Sequence, residues 1–92
     1  MKRIRIYTED KNREAIYRIV SDCFDSFTVF NCTGFWKGQI ELSMCVEILV
    51  DARKCAVTGI PALIKAMCAR IKDENEQESV LYTIDTTQAF FV

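Results

Sequence analysis

From residue 39 to residue 50 the chain alternates with little interruption: Ile40, Leu42, Met44, Val46, Ile48 and Val50 fall on one side, Gln39, Glu41, Ser43, Cys45, Glu47 and Leu49 on the other. A period of two belongs to a strand, so this segment predicts a long one whose even residues build the core. Residues 2–8, KRIRIYT, alternate in the same way, with Ile4 and Ile6 set against Arg3, Arg5 and Tyr7. Residues 27–36, FTVFNCTGFW, are β-branched and aromatic, and Gly34 there marks a bulge or a bend. Lys37-Gly38 separates two strand-like runs, as the two-residue loop of a hairpin does when glycine takes a positive φ. Residues 79–85, SVLYTID, predict a last strand.

Two segments change period. Ala15, Ile16, Ile19, Val20 and Cys23 recur at helical spacing, with Thr8 or Asp10 able to cap, which predicts a first helix over residues 10–24. Ile60, Leu63, Ile64, Met67, Cys68 and Ile71 form one apolar stripe behind Thr58-Gly59, with Pro61 in the first turn. The charged run KDENEQE, residues 72–78, ends that helix as a solvated loop, and residues 51–57 are a connection. The order β-α-β-β-α-β defines an α+β, ferredoxin-like fold in a single domain over residues 1–92. It implies a four-stranded antiparallel sheet with both helices on one face and the first and third strands central. Arg3, Arg5, Glu41 and Glu47 then share the open face, where opposite charges can pair across strands. A tail as apolar as Ala89, Phe90, Phe91 and Val92 either covers that face or extends the last strand, as an extra C-terminal strand, into a neighbour.

Composition narrows the functions. The 92 residues are half apolar, so the core is small and self-association is an expected supplement. A net charge of -1 and a pI near 5.4 give no basic stripe for duplex nucleic acid. No run suits a membrane span or a signal peptide, and a cytoplasmic protein is expected. Five scattered cysteines without a histidine suggest reduced, buried thiols; no metal and no cofactor is expected.

The absence of histidine excludes ordinary Cys-His and Ser-His-Asp nucleophiles. Glu41 and Glu47 lie about 20 Å apart along one strand, too far to flank one bond. Gly34, Gly38 and Gly59 make no phosphate cradle, although Gly59 opens a helix N-terminus. Tyr7 is the only ring among the central open-face positions, so an RNA-stacking sheet is disfavoured. These features predict a protein that is not an enzyme.

The segment Trp36-Lys37-Gly38-Gln39-Ile40-Glu41, followed by an alternating strand, resembles the W-x-G-x-I-E segment of the CutA-type proteins, relatives of the PII signalling fold. The entry to the last strand, Glu76-Gln77-Glu78-Ser79-Val80-Leu81, resembles that of other small ferredoxin-like domains with a similar hairpin. The resemblance covers about a third of the chain. It implies a homo-oligomer, a trimer foremost, with sheets facing inward and small ligands or metal at clefts between subunits. The chain lacks the histidine-containing segment of CutA-type proteins and the long loop of PII proteins. The expected function is a non-enzymatic oligomeric binding protein for a small anionic ligand such as a nucleotide. Arg3, Arg5, Trp36 and Lys37 are its expected contacts, and Phe90, Phe91 and Val92 its expected interface. The alternative is a small inhibitor or adaptor that binds a protein partner, of the kind a virus uses against a host defence, through the acidic loop, the hairpin tip and a sheet edge.

Overall fold

The computed structural model describes residues 1–51 and 59–92. The elements are β1 (Lys2–Glu9), α1 (Arg13–Ser21), β2 (Thr28–Trp36), β3 (Gln39–Val50), α2 (Ile60–Glu74) and β4 (Leu81–Thr86). The antiparallel sheet runs β2-β3-β1-β4, so the first and third strands are central. This is the ferredoxin-like arrangement that the alternation predicts. Most of the predicted connection, with Cys55, and Thr58 before the second helix lie outside the described residues.

Alternation fixes which side chains meet the helices. Ile4 and Ile6 from β1 and Met44, Val46 and Ile48 from β3 pack on Ile16, Ile19 and Val20 of α1 and on Ile64, Met67 and Ile71 of α2. Each fully buried aliphatic side chain contributes roughly 1.5–3 kcal/mol relative to exposure. Arg18 reaches Glu74 and Arg70 reaches Asp22 across the helix pair, both on the surface.

β3 departs from its expected role in its first half. Ile40 and Leu42 are 68% and 73% exposed although they continue the core face. The reason is the length of β1, whose pairing with β3 ends at Glu9 opposite Ser43. Beyond that point only β2 and β3 continue, as a two-stranded ribbon. The turn at its tip is as expected: Lys37 and Gly38 both take positive φ, 50° and 78°, which the mirror-image hairpin turn requires. Gly34 makes no bulge, since the β2–β3 register runs unbroken through Gly34 opposite Glu41. A Cβ at Gly34 would instead stand 3.2 Å from Ser43 Oγ.

α1 begins three residues later than expected. Asp10 does not cap it but holds Arg13 through two hydrogen bonds, 2.6 and 3.1 Å, while Asn12 before the helix is left-handed at φ 51°. The run 72–78 is not a wholly solvated loop. α2 continues to Glu74, and Asn75 and Gln77 are buried. Asn75 donates to the Lys11 carbonyl, and Gln77 donates to Thr8 Oγ at 2.6 Å while accepting from the Glu9 N–H. These bonds tie the end of α2 to the end of β1.

The thiols divide. Cys45 and Cys68 are buried, and burial pushes the Cys68 thiol up to about 11. Cys32 is partly buried, while Cys23 lies just past α1 and is exposed, contrary to the buried role expected of it. The four described cysteines are free.

Candidate functional site at the root of the hairpin

On the face away from the helices the charges sort into two ends. At one end Arg3 binds Asp85 of β4 through two bonds, 3.0 and 2.7 Å, and Arg5 binds Glu47 of β3 at 2.8 Å. The Arg5–Glu47 pair is the cross-strand partnership that the pattern predicts, since the two residues face each other in register. Arg3 takes its partner from the opposite neighbour, which depended on β4 being the outer strand. The Arg3 guanidinium holds the Asp85 carboxyl below its ordinary value, first through the hydrogen bond.

At the other end β1 gives out, and Glu9, Trp36, Glu41, Glu78 and Ser79 line a cavity of about 100 Å³. Four pieces of backbone meet there. Glu9 ends β1, Trp36 and Glu41 face each other diagonally across the hairpin, and Glu78-Ser79 leads into β4 after the buried Gln77. Glu9 and Glu41 share a hydrogen bond. It holds Glu41 above the ordinary carboxylate value, assisted by partial desolvation and the Glu9 charge, and holds Glu9 below its own. Lys11 forms an ion pair with Glu9 at 3.3 Å, and the Lys37 ammonium lies 5.6 Å from the centre of the Trp36 ring. The arrangement offers a half-exposed indole, carboxyl oxygens as acceptors and a nearby cation.

Trp36 and Lys37 thus adjoin the cavity, and Arg3 and Arg5 do not. Glu47, opposite Arg5, and Gln39, opposite Trp36, are eight positions apart on β3, about 26 Å at strand rise. The Glu9–Glu41 contact escaped the sequence, because it depends on how far β1 runs along β3. Among the described residues no group of three or more Cys, Asp or Glu side chains is placed to hold a metal. No described helix is long and apolar enough to cross a membrane.

The tail continues β4 by one step, through reciprocal bonds between Met1 and Thr87. It then bends back over the open face of its own sheet. Phe91 borders a second cavity, about 180 Å³, with Thr28, Glu47 and Leu49. Phe90 and Phe91 nevertheless stay 82% and 88% exposed. On the loop after α2, the inward turn of Asn75 and Gln77 leaves less of residues 72–78 free for a partner than the sequence suggested.

Sheet order and helix placement define an α+β, ferredoxin-like fold. No family model matches the chain, and no curated protein matches it in sequence. Among solved structures it is similar to a DUF3240 family protein from Shewanella baltica OS155, at 14% identity and TM-score 0.70, covering 99% of this chain and 94% of that one. It is similar to CPII, a nitrogen regulatory PII-like protein from Thiomonas intermedia K12 bound to ADP, AMP and bicarbonate. There the identity is 12%, the TM-score 0.65 and the coverage 99% and 93%. It is equally similar to a phage SAM lyase, at 16% identity and TM-score 0.70, covering 91% of this chain and 78% of that one; the lyase is also known with S-methyl-5′-thioadenosine. At these identities the likeness is one of fold.

The lyase corrects one expectation, that the protein is not an enzyme. An enzyme shares this fold across nine-tenths of the chain, so the architecture offers no argument against catalysis. Lack of histidine excludes histidine-based nucleophiles only; carboxyl groups and orientation of a bound substrate remain catalytic resources.

Proposed function

We propose that the protein is a homo-oligomer that binds a small adenosine-containing ligand at the hairpin root, between copies of the chain. The observation that carries this reading is the half-exposed Trp36 ring forming one wall of a cavity whose other walls are Glu9, Glu41, Glu78 and Ser79. An indole is a stacking surface for a purine. The carboxyl oxygens can accept from ribose hydroxyls, and Lys37, beside the indole, offers a cation for a 5′ phosphate. Two solved relatives in fold carry adenosine derivatives, ADP and AMP in one and S-methyl-5′-thioadenosine in the other.

The size of the cavity supports the oligomer. About 100 Å³ is well below the roughly 300–1,000 Å³ of a small-molecule site, so further walls are needed. Arg3 and Arg5, too distant in their own chain, would join Trp36 and Lys37 only from another copy. Arg3 is engaged by Asp85, and Arg5 by Glu47 and Tyr7, so an anionic group would be met by the guanidinium N–H groups beyond these.

Trp36 is the sole tryptophan, so its emission reports the site without ambiguity. Titration with AMP, ADP, S-adenosylmethionine and S-methyl-5′-thioadenosine is expected to quench it with at least one of them and to raise the melting temperature. Trp36→Ala should abolish the thermal response and Glu41→Gln weaken it. Mass spectrometry of the recovered ligand distinguishes binding from turnover. No spectral or thermal response to any of the four overturns the reading.

A further inference from the structure

We infer that the Trp36 cavity takes a small organic cation, a sulfonium or a quaternary ammonium head, and that this charge selects among the ligands of the site. The inference rests on the site proposed above and narrows what that site holds. Trp36 stands near the tip of the arm that β2 and β3 form beyond Glu9, with Gln39 and Glu41 on its side of the ribbon. Glu9, Glu41 and Glu78 supply three of the five lining residues, Ser79 a hydroxyl and Trp36 the apolar wall. Among the described residues no lysine or arginine joins that lining. Lys11 answers Glu9 from outside it, at 3.3 Å. Glu41 and Glu78 have no ion pair among the described residues.

The indole does more than close the cavity. An aromatic face carries partial negative charge and attracts a cation, more strongly when that cation is out of water, and tryptophan is the best ring for it. The Lys37 ammonium already lies 5.6 Å from the ring centre. Lys37 is exposed on the turn, where such a contact is weak enough for a ligand to displace. Size then separates an onium head from other occupants. About 100 Å³ is room for roughly three waters at about 30 Å³ each, enough for a methylated head and too little for a nucleoside. A bare metal ion needs converging ligands, and among the described residues no three Cys, Asp or Glu side chains converge to hold one. A methylated cation spreads its charge over C–H groups and is met by ring faces and carboxylates that surround it loosely. The Glu41 carboxyl is held above its ordinary value, first by its hydrogen bond to Glu9, then by partial desolvation and the Glu9 charge. A cation beside both carboxyl groups relieves the last of these.

Among the adenosine derivatives named above, S-adenosylmethionine carries a sulfonium beside its ribose. S-methyl-5′-thioadenosine has a neutral thioether there, and AMP and ADP have phosphates, which the lining carboxyl groups oppose and only Lys37 would meet. The test is Trp36 emission and calorimetry on the full chain. Tetramethylammonium and trimethylsulfonium chlorides serve as bare heads, with potassium chloride as the salt control. S-adenosylmethionine is set against S-adenosylhomocysteine, which lacks only the methyl group and the charge. The onium salts are expected to shift the emission saturably where potassium chloride does not, and S-adenosylmethionine to bind at least about tenfold tighter than its neutral counterpart. Trp36→Leu keeps an apolar wall without the indole, and Glu78→Gln keeps the shape without the charge. Both are expected to cut that ratio to about threefold or less, with unchanged far-UV dichroism. Equal affinity of the wild type for the two compounds, or a ratio that survives in both variants, overturns the inference. If AMP or ADP binds while neither the onium salts nor S-adenosylmethionine does, the inference falls and the adenosine reading stands. If the onium salts bind saturably while no adenosine compound does, the cation site stands and the adenosine reading falls.

Discussion

The two halves of β3 carry one sequence pattern and have opposite fates. Met44, Val46 and Ile48 are fully buried, whereas Ile40 and Leu42, two and four residues earlier on the same face, stand in the open. The difference does not lie in the residues, which are of similar size and polarity. It lies in what is beneath and beside them: two helices and β1 in one half, neither in the other. Alternation specifies which way a side chain points, and burial depends on whether anything is there to meet it. The apolar face of Ile40 and Leu42 is left bare by its own chain.

The sharpest test of that comparison is truncation on either side of the boundary. Ile48→Ala should lower the unfolding free energy by about 2–5 kcal/mol, whereas Leu42→Ala, measured under dilute monomeric conditions, should change it by less than about 0.5 kcal/mol. Chemical denaturation of the two variants reads both values. Equal losses would mean that the arm packs against its own subunit, and the comparison would collapse.

The boundary itself rests on Gln77, which holds Thr8 and Glu9 where β1 stops. Gln77→Ala leaves a buried hydroxyl and a backbone N–H without their partner, at a cost of about 1–3 kcal/mol. Hydrogen exchange should show the loosening centred on Thr8, Glu9 and the cavity, with the helix-covered half of β3 still protected. Uniform loosening would show that the two halves form one cooperative unit.

The smallest effect is the most specific, because Glu41 responds to pH oppositely to Asp85 and Asp10. Asp85, held low by Arg3, and Asp10, held low by Arg13, favour the folded state above the ordinary aspartate value, and that contribution is lost as pH falls through their depressed folded values. Glu41 is held high by its hydrogen bond to Glu9, so its contribution is present in acid and is lost as pH rises through its raised value. Glu41→Gln should therefore stabilise the protein slightly near neutral pH and lose that advantage near pH 4, about the ordinary carboxylate value. A thermal melt series across this range shows it. A Glu41→Gln difference that is constant with pH would mean that Glu9 and Glu41 do not share a proton.

The same division separates what could be read from the chain and what could not. Element types, their order, the sheet with β1 and β3 central, the hairpin turn at Lys37-Gly38 and the Arg5–Glu47 pair follow from local periodicity and turn chemistry, which act over a few residues. The solvated reading of residues 72–78 failed because the inward turn of Asn75 and Gln77 is set by partners more than sixty residues away. The Glu9–Glu41 contact, the separation of Arg3 and Arg5 from Trp36 and Lys37, and the bareness of Ile40 and Leu42 have one cause, the length of β1 against β3. The amino-acid order by itself determined the strands, the helices and the direction of each side chain. Only the tertiary structure decided where the third strand stops, and with it which apolar residues found a core and which remained exposed.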